Sequence, residues 1–169
     1  MPVNEVEIAG AHLDRTLDFF ARVDAKASIL FGINVGIITL LLFNLDPKDL
    51  STWYAAVPLV ATFLLIIWST ANLLLASYPS LKGGASSLFY FGSVGARTEQ
   101  DYVRSFKQAS DDDLLSDLLG QVWRNSQILK EKYERVTSAF RQTAYAVVPW
   151  AWFLIASAML HGRGINLGS

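Results

Sequence analysis

Three stretches of this 169-residue chain carry almost no charge over the length of a bilayer crossing, and this limits its possible folds more than any other feature. From Ala25 to Leu45, Lys26 is the only ionisable residue. As a helix this run extends roughly 31 Å at about 1.5 Å per residue, which matches a hydrocarbon core. A second run, Tyr54 to Tyr78, holds no charge, and Trp53, Tyr54 and Tyr78 give it aromatic ends suited to the membrane interface. Pro58 falls in its first turns, where a missing N–H costs least. A third run, Gln142 to Leu160, is again uncharged, and its Pro149 is expected to kink the helix. The chain is 52% hydrophobic yet 17% charged, so greasy and wet parts are segregated. The expected fold is therefore all-α: an integral membrane protein with three transmembrane helices.

The distribution of Lys and Arg predicts an orientation. Arg15 and Arg22 precede the first run, and only Lys48 lies in the connection to the second. The long segment after the second run holds Lys82, Arg97, Arg104, Lys107, Arg124, Lys130, Lys132, Arg135 and Arg141, whereas the tail holds only Arg163. The positive-inside rule then puts the N-terminus and the long segment in the cytoplasm and the C-terminus outside. The opening residues are acidic and amphipathic, unlike a cleavable signal peptide. The chain divides accordingly into a cytoplasmic amphipathic helix (1–24), a first span (25–45), an external loop (46–53), a second span (54–78), a helical cytoplasmic region (79–141), a third span (142–160) and an external tail (161–169).

The polar residues of the first run need a reason to be there. Leu13, Leu17, Phe20, Asp24, Ala27, Phe31, Asn34 and Ile38 follow one another at steps of three or four, so Asp24 and Asn34 share the stripe expected to face other helices. Lys26 points elsewhere and can reach the headgroups by its long stem. For Asp24 a cap or salt bridge and a gating role are both open. Gly32 and Gly36 form a small-xxx-small face that permits close helix approach.

In the cytoplasmic region, the Gly- and Ser-rich stretch after Tyr78 reads as a loop with a short extended piece at Leu88 to Phe91. Thr98 is placed to cap a helix from Glu99 to about Ala109. Ser110 followed by Asp111, Asp112 and Asp113 starts another helix, with acids at its positive end. That explains the three aspartates better than a metal does. Leu115, Val122, Leu129 and Val136 repeat every seven residues, as do Leu119, Ser126, Tyr133 and Phe140. One long helix is expected to run from here directly into the third span.

Composition excludes several functions. A net charge of −1 supplies no basic field for nucleic acid. The absence of cysteine removes disulfides and thiol chemistry, and two histidines near opposite ends, His12 and His161, make no ligand cluster. No nucleophile-elbow, zincin or P-loop motif occurs, so neither catalysis, nor a metal, nor a bound cofactor is expected. Small-ligand binding has more to work with. The segment Tyr90–Lys107 brings Tyr90, Gly92, Ser93, Gly95, Arg97, Tyr102, Arg104 and Lys107 together. A glycine turn leading into a helix offers free N–H groups to a phosphate, an arginine can fork onto it, and a ring can stack on a base. The competing reading is a juxtamembrane loop whose aromatics pack on helices and whose arginines meet lipid headgroups.

The strings DAKASILFGINVGIITLLL, SLFYFGSV, DYV and ILKEKYERVTSAF, with a second span ending near Tyr78–Pro79 and a final span, resemble the transmembrane type of Pycsar effector over nearly the whole chain. The likeness also attaches to Asp24 through Ser28 and to the Lys132–Tyr133 pair. It implies a bacterial antiphage effector in the inner membrane, encoded beside a pyrimidine nucleotide cyclase. On that likeness the effector is expected to sense cyclic CMP or cyclic UMP, with region 79–141 as the expected sensor, and membrane integrity is expected to be lost before the phage completes its cycle. Too few polar groups face one another in three helices to conduct alone, so a homo-oligomer is expected, with Asp24, Lys26, Gly32, Asn34, Gly36 and Tyr133 as gating or packing candidates. The rival is a non-enzymatic membrane scaffold or regulatory subunit that recruits a cytoplasmic partner through the long helix.

Overall fold

A computed structural model describes residues 4–78 and 86–162. The described residues form helices and connecting turns: α1 (Glu5–Asn44), a 3-10 turn (Pro47–Ser51), α2 (Trp53–Ser77), α3 (Phe91–Gly95), α4 (Glu99–Gln108) and α5 (Asp111–His161). Three of these, α1, α2 and α5, are long and apolar enough to cross a membrane. The chain is thus an all-α membrane protein. The expected amphipathic helix and first span are one uninterrupted 40-residue helix, and α5 runs 51 residues through Pro149. Lys82 and Arg163, both counted for orientation, lie outside the described residues.

The chain forms two compact units. The spanning unit comprises 24–77 and the chain from Tyr133 onward. Its core joins Ile37 and Leu41 of α1, Ala55, Leu59 and Ile66 of α2, and Ala146, Phe153 and Leu154 of α5. On α1 the buried positions are Ala27, Leu30, Asn34, Ile37, Leu41 and Asn44, a sustained three-and-four spacing. Asn34 and Ala27 therefore face in as expected. Phe31 is exposed instead, because Leu30, one residue earlier, occupies the packed position. Gly32 and Gly36 are also on the open side, with no atom within 4 Å of a Cβ built on either. The small-xxx-small face is unused within the chain.

The second unit comprises the chain up to Val23 together with 78–132. Ala9, Thr16 and Val23 of α1 are buried, whereas Leu17 is exposed. On α5, Leu118, Gln121 and Val122 are buried. The two seven-residue columns of α5 behave differently. Val122 and Val136 pack inward, while Leu119, Ser126, Tyr133 and Phe140 face outward. A repeat period identifies a face but not its partner.

Local signals were legible. Thr98 caps α4, its hydroxyl accepting from the Asp101 amide at 3.2 Å. Ser110 caps α5 reciprocally: its Oγ accepts from the Asp113 amide at 3.2 Å, and its amide donates to Asp113 Oδ2 at 3.1 Å. The Ser110 hydroxyl also donates to Asp113 Oδ2 at 2.6 Å, and this bond together with the one from the amide holds the Asp113 carboxyl below its ordinary pKa. The expected extended piece at Leu88–Phe91 is replaced by a bend leading into α3. The physical reason is that Ser87 Oγ accepts the amides of Phe89 and Tyr90, which removes them from strand pairing.

Candidate functional site

The candidate ligand segment is built on one serine. Ser87 Oγ donates to Asp117 Oδ2 at 3.0 Å and accepts from Gln121 Nε2 at 2.8 Å, from the Phe89 amide at 3.1 Å and from the Tyr90 amide at 2.9 Å. Asp117 Oδ2 also accepts from the Leu88 amide at 2.7 Å. Two residues one turn apart on α5 thus hold the start of the segment by its backbone. A buried serine with this many partners is costly to disturb, since each donor left unpaired costs about 1–3 kcal/mol.

Around this hub the expected site residues fall into two groups. Tyr90 precedes α3 and leans on Phe91, with ring centroids 4.8 Å apart. A Cβ at Gly92 would come 2.6 Å from Tyr90 Cε1, so the glycine is what lets that ring lie over the α3 backbone. Ser93 is buried and Gly95 faces open space. The Arg97 guanidinium donates to the Ser86 carbonyl at 2.7 Å and closes the segment across 11 residues. Tyr102 packs toward Phe106, which in turn meets Phe89 edge-on. Arg104, by contrast, is exposed and pairs with Asp101 on its own helix. With Lys107 it lines a shallow groove along α4 that also includes Glu99, Gln100 and Val103. Residues two apart on a helix do not share a face, so Tyr102 and Arg104 point away from each other.

Four residues here escaped sequence reasoning: Ser87, Asp117, Gln121 and Arg124. Asp117, Gln121 and Arg124 follow at helical steps of four and three, so polar residues recurring along one stripe of α5 were the available signal. Arg124 Nε is buried and has no hydrogen-bond partner among the described residues. Its Nη2 lies 3.1 Å from where a Cβ at Gly120 would be. Gly120 therefore leaves room for the guanidinium. An arginine with donors to spare can take a phosphate ester or a carboxylate.

The spanning unit holds two polar clusters. In the first, Asn34 Nδ2 donates to Ser69 Oγ at 2.9 Å and to Thr70 Oγ1 at 3.3 Å, and Thr143 Oγ1 donates to Asn34 Oδ1 at 2.7 Å. Ser69 Oγ lies 3.0 Å from the Ala139 carbonyl and 2.9 Å from Thr143 Oγ1. Asn34 thus joins α1, α2 and α5 inside the apolar core. In the second, the fully buried Asp49 accepts from the Asp46 amide at 2.9 Å, faces Ser157 Oγ at 3.1 Å and lies 2.9 Å from His161 Nε2. The Ser157 hydroxyl also reaches the Asn44 carbonyl at 3.1 Å. Of the other gating candidates, Asp24 is half-buried and its carbonyl accepts from Ser28 Oγ, while Lys26 and Tyr133 line one open groove between α1 and α5.

Against known families, the model of the Pycsar effector protein domain (PycTM) matches residues 8–158, which include the first two spans, all but the last two residues of the third, and both polar clusters except His161. Comparisons with curated proteins and with solved structures found no match.

Proposed function

The chain belongs to the Pycsar effector family, and from that premise we propose that cyclic CMP or cyclic UMP switches it on to impair the membrane in which it sits. It is a membrane-spanning antiphage effector by family and by its three long apolar helices. The nucleotide and the lesion are our reading. The observation that carries it is the reach of the family match, which takes in the region between the second and third spans together with nearly all of the spans themselves.

The chemistry of the second unit supports the reading. A cyclic mononucleotide presents one phosphate charge, one ribose and one flat base. Arg124, one turn beyond Gln121 on α5, has a buried Nε with no hydrogen-bond partner among the described residues, and Phe91 offers an exposed ring. Arginine plus a stacking ring is a sufficient minimum for such a ligand. In this reading Arg97 orders the segment and Arg124 takes the phosphate. The protein acts without catalysis, sits in the inner membrane with its N-terminus in the cytoplasm, and forms its permeability path between copies. Ligand favours the open arrangement only to the extent that it binds that arrangement better.

The test is dye release from liposomes reconstituted with the purified protein. Cyclic CMP or cyclic UMP is expected to release carboxyfluorescein, and cyclic AMP is not. Retention of dye under every nucleotide, with correctly inserted protein, would leave the scaffold reading in its place.

A further inference from the structure

The spanning unit contains an open groove of about 480 Å³ between α1 and α5. Lys26 and Tyr133 line it together with Ile29, Ile33, Thr137 and Phe140. Both helices run in the same direction here, since Asn34 bonds to Thr143 and Ser157 bonds to the Asn44 carbonyl further along. Lys26 and Tyr133 therefore mark one end of the groove, and Ile33 and Phe140 mark the other, seven residues and roughly 10 Å deeper.

This axis crosses the membrane interface. On α5 the last charge before the uncharged run is Arg141, adjacent to Phe140. On α1 no charge follows Lys26 until Asp46. The deep end, beside Arg141 on α5 but inside the uncharged run on α1, marks where the headgroup layer gives way to hydrocarbon, and the Lys26–Tyr133 end lies on the headgroup side of it. Its rim is exposed, Ile29 at 66% and Phe140 at 63%, over a buried floor of Leu30 and Val136. The Lys26 ammonium makes no hydrogen bond or ion pair among the described residues, and no carboxylate lines the groove.

We infer that this groove binds one anionic phospholipid, its phosphate on Lys26 and the Tyr133 hydroxyl, its acyl chain along Ile29, Ile33 and Phe140. The volume falls in the range of small-molecule sites, about 300–1,000 Å³. Charge selects the occupant. A cation without a counterion at the interface attracts an anionic headgroup, and the apolar floor suits a chain rather than water. The inference rests on the spans alone and not on the nucleotide reading.

Native mass spectrometry of the delipidated full-length protein tests it, with palmitoyl-oleoyl-phosphatidylglycerol and palmitoyl-oleoyl-phosphatidylcholine compared at matched concentration. The first phosphatidylglycerol is expected to be retained about fivefold better, the effect of one lysine–anion contact at a membrane surface. Lys26→Gln should abolish that preference while keeping phosphatidylcholine retention at the wild-type level, which also reports an intact fold. Thr137→Trp, which fills the groove, should lower retention of both lipids. Equal retention of the two lipids by the wild type overturns the inference, as does a preference that survives Lys26→Gln. Because the chain has no cysteine, Ile29→Cys gives a clean third readout. Efficient disulfide dimerisation at that site would show the groove covered by a second copy, and would equally overturn it.

Discussion

Asn34 and Thr143, 109 residues apart in the chain, share a 2.7 Å hydrogen bond inside the spanning unit, and Asn34 binds Ser69 at 2.9 Å with its other side-chain atom. One amide thereby ties α1 to both other long helices. Asn34→Leu is expected to destabilise the spanning unit by about 1–2 kcal/mol, the scale of interhelical hydrogen bonds in membranes. Unfolding in mixed micelles measures this. Thr143→Val should cost less in the Asn34→Leu background than in the wild type, since the two share one bond.

Asp49 is the acceptor on which the opposite end of the spans converges. Asp49→Ala leaves the Asp46 amide, Ser157 and His161 without their common partner. A loss of about 3 kcal/mol is expected, as when one member of a buried polar set is removed. Asp49→Asn, which keeps an acceptor oxygen, should lose less. Thermal unfolding of the two variants side by side distinguishes them.

Ser87→Ala should loosen the start of the ligand segment without unfolding α5. The amides of Phe89 and Tyr90 lose their acceptor and should exchange hydrogen at least tenfold faster, as about 1–3 kcal/mol of lost protection requires. Amides in the middle of α5 serve as the internal control.

For the proposed ligand, Arg124→Gln is expected to weaken cyclic CMP or cyclic UMP binding at least tenfold by calorimetry, matching the loss of a charged hydrogen bond of about 1.5–3 kcal/mol. Arg104→Ala should stay within about twofold, because that guanidinium is exposed and already paired with Asp101. The reverse order would move the site from the Ser87 hub to α4.

The Asp113 carboxyl, lowered by the Ser110 hydrogen bonds, sets an acid limit on the start of α5. A carboxylate with a depressed pKa in the folded state stabilises fully above its unfolded value. That contribution is lost as pH falls through the lower folded value. In a carbon-detected NMR titration, Asp113 should protonate below the ordinary aspartate range. Ser110→Ala should move it back toward that range.

Much of this protein could be read from its residues alone, because the physics involved is local or one-dimensional. Transfer of some twenty uncharged residues into hydrocarbon depends only on which residues they are, so α2 and the membrane halves of α1 and α5 were evident. Caps act over three residues, so Thr98 and Ser110 began the helices they were expected to begin. The short strings that resemble the Pycsar effectors also sufficed for the family. Side-chain partners across the chain were another matter. Periodicity could name two columns on α5 but not say that Val122 and Val136 turn inward while Tyr133 and Phe140 stay open. The Ser87 hub joins residues about 30 positions apart, and it alone turned an expected extended piece into a bend. Asp49 looks like an ordinary loop acid until Ser157 and His161 are brought to it. The sequence by itself determined where the chain meets lipid and where its helices begin, since those free energies belong to consecutive residues. Only the tertiary structure decided which polar groups are satisfied and which, like Arg124 Nε and the Lys26 ammonium, find no partner among the described residues, because those contacts join residues far apart in the chain.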